Sequence, residues 1–171
     1  MRRTFFYFIL LVCIVCGYTT AAQTANADSL FAIARKAAFE DKDYSAAIGY
    51  AHMALAVNPR YTDVVVFTGR LHAWQKNVDS ARYYFDMALQ QRRTIDAYAA
   101  YADLELWNDN SLRALELLDS GLVHNPGAVP LLIRKARILN ARREFESAIH
   151  IVDTLLAIDK SNTAARALGV Q

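Results

Sequence analysis

The sequence contains only two cysteines, Cys13 and Cys16, and both lie near the amino terminus. The rest of the chain therefore has no disulfide, no thiol nucleophile and no cysteine-bound metal. Proline and glycine are also scarce, with three and six residues, and no segment alternates apolar and polar residues as a strand would. Zinc-protease, serine-hydrolase and phosphate-loop motifs are missing from the sequence. We therefore expect no catalytic residues, no metal site and no cofactor, and we predict that the protein is not an enzyme.

A strong charge of one sign is missing too. The chain has 19 basic and 17 acidic residues, which gives a net charge of +2. Two of the basic residues are Arg2 and Arg3, so the sequence that follows them is balanced. A balanced domain offers no broad basic surface to polyanions. We expect no nucleic-acid partner.

The amino-terminal segment has the pattern of an export signal. Two arginines precede the apolar run 5–16, and small and polar residues follow it. This pattern predicts a secretory signal peptide over residues 1–22, with cleavage after Ala22. The run is shorter than the roughly 20 residues that a spanning helix needs, so we predict no integral span in the mature chain. An uncleaved anchor and a lipoprotein modified at one of the two cysteines are the alternatives.

The remainder of the sequence repeats itself with helical periodicity. Trp74 and Trp107 lie 33 residues apart, and Ala47, Ala81, Ala114 and Ala148 follow one another at 34, 33 and 34 residues. A period near 34 with two helices per unit is typical of the tetratricopeptide repeat. We therefore predict an all-α superhelix over residues 23–171, with units at about 28–61, 62–94, 95–128 and 129–160 and a capping helix at 161–171.

Small residues recur where paired helices should approach most closely. A bulky side chain at these positions would keep the two helix axes apart, so the repeat predicts that they are buried packing positions. They are Ala47, Ala54, Gly69, Ala81, Ala88, Ala114, Gly121 and Ala148.

The two tryptophans fall near the ends of the first helices of their units, which line the concave face of such a superhelix. Charged residues at Lys36, Arg70, Asp103 and Arg137 should form a row along the same face. One hypothesis is a partner-binding groove made by Arg70, Trp74, Asp103, Trp107 and Arg137, with indoles as anchors. The alternative is purely structural: the charged residues pair with one another across units, and the indoles cover the core.

Residues 65–140 resemble a narrower group. The segments 69–89, 96–126 and 131–139, with paired Ala-Trp and Leu-Trp turns, are similar to the periplasmic repeat region of YaiO-type outer-membrane proteins. In that family a β-barrel follows the repeats, and the few residues after Ser161 cannot encode one. The resemblance implies an envelope location and an accessory role without catalysis, and it leaves an outer-membrane component among the expected partners without identifying a ligand.

These observations predict an exported repeat scaffold for protein–protein interaction, in the periplasm or on the periplasmic face of the outer membrane. A protein or peptide is the expected partner. Two alternatives stay open: a periplasmic fragment of a truncated or split outer-membrane barrel protein, and an accessory for polysaccharide binding or export.

Overall fold

The computed structural model describes residues 26–169, which form nine helices and no strand. The all-α prediction is confirmed for this range, and the predicted signal peptide lies outside it. Within residues 26–169, no helix is both long and apolar enough to cross a lipid bilayer. The helices are α1 (26–39), α2 (Tyr44–Val57), α3 (Thr62–Trp74), α4 (Val78–Gln91), α5 (Ile95–Trp107), α6 (Ser111–His124), α7 (Val129–Ala141), α8 (Phe145–Ile158) and α9 (Thr163–Gly169).

Successive helices pack as pairs, and the pairs stack side by side. The helices α3 and α4, α5 and α6, and α7 and α8 make the most extensive contacts. The first helices of neighbouring pairs also touch: α3 contacts α5, α5 contacts α7, and α7 contacts α9. Comparable contacts between α4 and α6, or between α6 and α8, are absent from the described range. The array therefore bends with α3, α5 and α7 on its inner face, as in other stacked repeats.

The turns inside the helix pairs share one backbone conformation. Lys42, Lys76, Asp109 and Arg143 all have positive φ, between 57° and 64°, and they follow the same repeat spacing as the packing alanines. A left-handed residue costs energy when it is not glycine. Backbone hydrogen bonds across the turn offset this cost, for example from the Asn77 and Asn110 amides to the carbonyls of His72 and Glu105, both at 2.9 Å.

The small residues singled out by the repeat are all buried, including the two glycines, Gly69 on α3 and Gly121 on α6. Gly69 lies against the Phe85 ring, where an added Cβ would be 2.7 Å from Cε1. Gly121 lies against Leu131 and Tyr98, where a Cβ would be 2.7 Å from Leu131 Cδ1. Hydrogen is the largest substituent that these two helix crossings accept without movement of a buried side chain.

Alanine substitutions at Gly69 and Gly49 should therefore have opposite effects. Gly69→Ala should lower the free energy of unfolding by about 1–2 kcal/mol, because overpacking outweighs the gain in helix propensity. Gly49 lies on α2 with nothing within 4 Å of an added Cβ, so Gly49→Ala should stabilise by about 0.5–1 kcal/mol. Urea denaturation of both variants measures the difference, and an equal gain in stability would contradict the close approach at Gly69.

Candidate functional site

A cleft of about 520 Å³ opens between α5 and α7 on the inner face of the array. Its walls combine a tryptophan, three aliphatic side chains, two alanines and three charged groups. They are Ala102, Asp103, Leu106, Trp107, Ile133, Arg134, Arg137, Ile138 and Ala141. The cleft thus brings together three of the five residues that the sequence hypothesis assigned to a groove, namely Asp103, Trp107 and Arg137.

Two of these side chains are available to a partner. The Trp107 side chain is 62% exposed, and it makes no ring contact with any residue in the range 26–169. Arg137 is exposed as well, and it has no ion pair or hydrogen bond to the part of the chain that the structure describes. Beside them, Leu106 is 39% exposed. A large apolar surface next to a cation without a partner is the arrangement that recognition sites favour.

Asp103 is occupied by a residue that the sequence analysis did not single out. Arg134 binds it through two parallel hydrogen bonds, Nε to Oδ1 at 2.9 Å and Nη2 to Oδ2 at 3.0 Å. A further guanidinium nitrogen donates to the Pro130 carbonyl at 3.1 Å. This bidentate pair fixes Arg134 against α5 and neutralises it. The structural alternative supposed that Asp103 pairs with Arg70 or Arg137, and the structure shows neither pair.

The other charged residues of the predicted row do not reach this cleft. Arg70 forms an ion pair with Asp96 at 2.5 Å, at the start of the following first helix. Lys36 is exposed on α1. The row is therefore not one continuous surface, because Arg70 and Asp103 pair with Asp96 and Arg134, while Arg137 has no partner within residues 26–169.

Trp74 contradicts the idea of two equivalent indoles. It is half-buried, with its ring 5.8 Å from Phe39 and 5.6 Å from Tyr44, measured between centroids. Thirty-four residues after Phe39 and Tyr44 the chain has Ala73 and Val78. Trp107 consequently has no aromatic neighbours like those that pack against Trp74, and its indole is exposed at the surface. Trp74 covers the core, while Trp107 lines the cleft.

Glu105 is the most deeply buried carboxylate of the described range, at 1% exposure, and no role was predicted for it from the sequence. Arg82 on α4 donates to both of its oxygens, at 2.7 and 2.9 Å, and Asn110 Nδ2 donates at 3.0 Å. These hydrogen bonds from Arg82 hold the pKa of Glu105 below its ordinary value, against the opposing effect of burial. The group ties α4, α5 and the following turn together behind the cleft.

Two histidines that share no sequence motif meet at one tyrosine. The Tyr84 hydroxyl lies 2.8 Å from His52 Nε2, and the Tyr84 ring stacks on His72 with centroids 5.3 Å apart. Burial lowers the pKa of His72, and its Nδ1 has no hydrogen-bond partner in the described structure. Across the described residues, no group of three or more His, Cys, Asp or Glu side chains could hold a metal ion.

Comparison with known proteins identifies the architecture. No protein-family profile and no curated protein sequence matches this chain. Among solved structures, a tetratricopeptide repeat protein from Parabacteroides merdae matches with a TM-score of 0.71 at 16% identity, over 84% of this chain and 57% of that one. A thermophilic TPR protein from Thermus thermophilus matches with a TM-score of 0.64 at 16% identity, over 84% and 81% of the two chains.

A third match comes from the structure of Naa15/Naa10 bound to HypK-THB, with a TM-score of 0.65 at 18% identity over 83% of this chain and 22% of that one. This chain thus spans just over half of the Parabacteroides protein and less than a quarter of the matching chain in the Naa15/Naa10 structure. Helix pairs, repeat spacing and structural neighbours agree, and the fold of residues 26–169 is that of a tetratricopeptide-repeat superhelix.

Proposed function

We propose that this protein is an exported, non-catalytic scaffold that binds a protein partner through the cleft between α5 and α7. The observation that carries the proposal is the exposed Trp107 indole beside Arg137, on the inner face of the repeat array. Tryptophan and arginine are the residues that most often dominate the energy of protein interfaces. Because the cleft is concave, a partner side chain bound beside Trp107 and Arg137 would be surrounded by protein and shielded from water.

The neighbouring structures support a scaffold role in general terms. Tetratricopeptide folds are stacks of helices whose concave surfaces are used for binding. One of the matching structures is itself a protein complex, Naa15/Naa10 bound to HypK-THB. Identities of 14–18% leave the partner of the present chain open to experiment.

The location belongs to the same proposal and rests on the segment 1–22 alone. A processed signal peptide would place the scaffold in the periplasm or on the periplasmic face of the outer membrane. Cell fractionation followed by amino-terminal sequencing tests this, and we expect the mature chain to begin at Gln23. The comparisons give no support to the YaiO-type resemblance, so an outer-membrane partner and a split barrel protein rest on that sequence likeness only.

The polysaccharide alternative is weakened by the position of Trp74. Two exposed indoles in a row would have offered a stacking platform for successive sugars. Because Trp74 packs against Phe39 and Tyr44, only Trp107 of the pair faces the cleft. One indole with a free guanidinium fits a peptide segment better than an extended neutral glycan.

Trp107→Ala should weaken binding of the natural partner about 30-fold, the effect of removing a central anchor. The measurement is affinity capture of envelope proteins on the immobilised chain, followed by titration of the captured protein against wild type and variant. Val123→Ala is the matched control, since Val123 is 76% exposed and lies on α6, away from the cleft. A captured protein that binds all three chains with equal affinity would overturn the assignment of the cleft.

A further inference from the structure

We infer that the cleft between α5 and α7 selects segments in which an Asp or Glu side chain lies beside a large apolar side chain. This inference rests on the proposed function, because it names the chemistry of the partner for the same surface. The expected ligand is an acidic side chain within a partner protein. The inference follows from the charged groups and the apolar side chains that line the cleft.

The charge of the cleft is positive after its internal pairing. Its lining contains two arginines and one carboxylate, Arg134, Arg137 and Asp103. The bidentate pair with Asp103 uses up Arg134, whose remaining contact is to the Pro130 carbonyl. Arg137 is left with all its donors free within the described range. A guanidinium with free donors binds a carboxylate in preference to any neutral group.

Apolar contact is available beside that cation. Trp107 and Leu106 are both exposed on α5, and Ile133 and Ile138 contribute from α7. Alanines line the same cleft at Ala102 and Ala141, where larger residues would fill the space. An apolar side chain can therefore enter between the helices while an acidic neighbour meets Arg137.

The preceding joint of the array does not offer this combination. There, between α3 and α5, the position equivalent to Arg137 holds the carboxylate Asp103, which is paired with Arg134, and the equivalent indole, Trp74, is covered by Phe39 and Tyr44. Two joints with similar sequences thus differ in both features that recognition needs. The difference favours the cleft between α5 and α7 as the place where an acidic and apolar segment docks.

A displayed library of random dodecapeptides, fused through their carboxyl ends so that every carboxylate is a side chain, tests the inference. Selection on the wild-type chain should enrich peptides with Asp or Glu next to Trp, Phe or Leu. Selected peptides should then bind the Arg137→Glu variant about tenfold more weakly. Arg60→Glu, in the loop between α2 and α3, makes the same change of net charge outside the cleft and should bind as wild type does.

A second variant should strengthen the binding of acidic peptides. Asp103→Asn removes the carboxylate that neutralises Arg134 while keeping the size of the side chain, so acidic peptides should bind more tightly. Thermal melting of every variant shows that it is folded before its affinity is compared. Equal loss of affinity in Arg60→Glu and Arg137→Glu would show a general charge effect and overturn the inference.

The two proposals fail in different ways. Peptides that depend on Trp107 but show no acidic preference would overturn the inference and leave the binding cleft in place. Peptides that bind Trp107→Ala as tightly as wild type would remove the cleft itself, and both proposals with it. Enrichment of Lys or Arg on the wild-type chain would also contradict the inference.

Discussion

Phe85→Ala should lower the free energy of unfolding by about 3–5 kcal/mol, which corresponds to a fall of about 10 °C in Tm. The Phe85 ring is fully buried between the backbone of Gly69 on α3 and the Tyr101 ring on α5, with the two ring centroids 5.4 Å apart. Truncation would leave a cavity where three helices from two pairs meet. Differential scanning calorimetry of the wild type and the variant gives the difference.

A double-mutant cycle shows whether the ring and the glycine act together. Phe85→Leu should cost less, about 1.5 kcal/mol or below. In that background Gly69→Ala should be milder than in the wild type, because the atoms that its Cβ would meet belong to the ring. A loss below about 1 kcal/mol for Phe85→Ala would mean that the ring does not fill this joint.

Glu105→Ala should destabilise the protein by about 3 kcal/mol, since the change breaks a buried ion pair and leaves Asn110 without its acceptor. This figure is at the low end for a buried pair because the Arg82 side chain is 39% exposed and can turn to water. Urea titration at neutral pH measures the loss.

The same variant should change how stability depends on pH. The folded pKa of Glu105 lies below its unfolded value, first because Arg82 donates hydrogen bonds to the carboxylate. Its contribution is therefore complete above the unfolded pKa, about 4.3, and is lost as the pH falls through the folded pKa. The gap in stability between wild type and Glu105→Ala should narrow on acidification below about pH 4.

The next joint supplies the control for this pair. One repeat further on, the residues equivalent to Arg82 and Glu105 are Leu115 and Leu139, which line a common cleft. The double variant Arg82→Leu, Glu105→Leu should consequently be close to wild type in stability, since apolar replacements of buried ion pairs are often neutral or stabilising. If the stability lost in the double variant equals the sum of the losses in the two single variants, an apolar pair cannot replace the ion pair at this joint.

Much of the fold could be predicted because its cause is periodic. Each joint needs a small residue where the helices cross, so Ala81 and Ala114 mark the period directly in the sequence, and both are fully buried. The left-handed turn residues obey the same spacing, although Lys76 and Asp109 carry no sequence signal for that conformation. Glu105 was missed because a glutamate on a helix is normally solvated, yet Leu139 at the equivalent position was a usable sign of burial.

The candidate site was predictable only in part. The sequence brought Asp103, Trp107 and Arg137 to one face, and the structure places all three on one cleft. It could not show that Arg134 pairs with Asp103, because the two are 31 residues apart and lie on different helices. A pairing of this kind depends on the rotation of each helix about its axis, which repeat spacing does not specify.

The sequence by itself determined the helix pairs, their register and the buried small residues, because these follow from a period that every unit shares. Tertiary structure alone decided which of two equivalent tryptophans is free. Trp74 rests on Phe39 and Tyr44, while the corresponding Ala73 and Val78 are too small to cover Trp107. The physical reason is that exposure depends on the neighbours a side chain meets in space, and those neighbours differ between units that are otherwise alike.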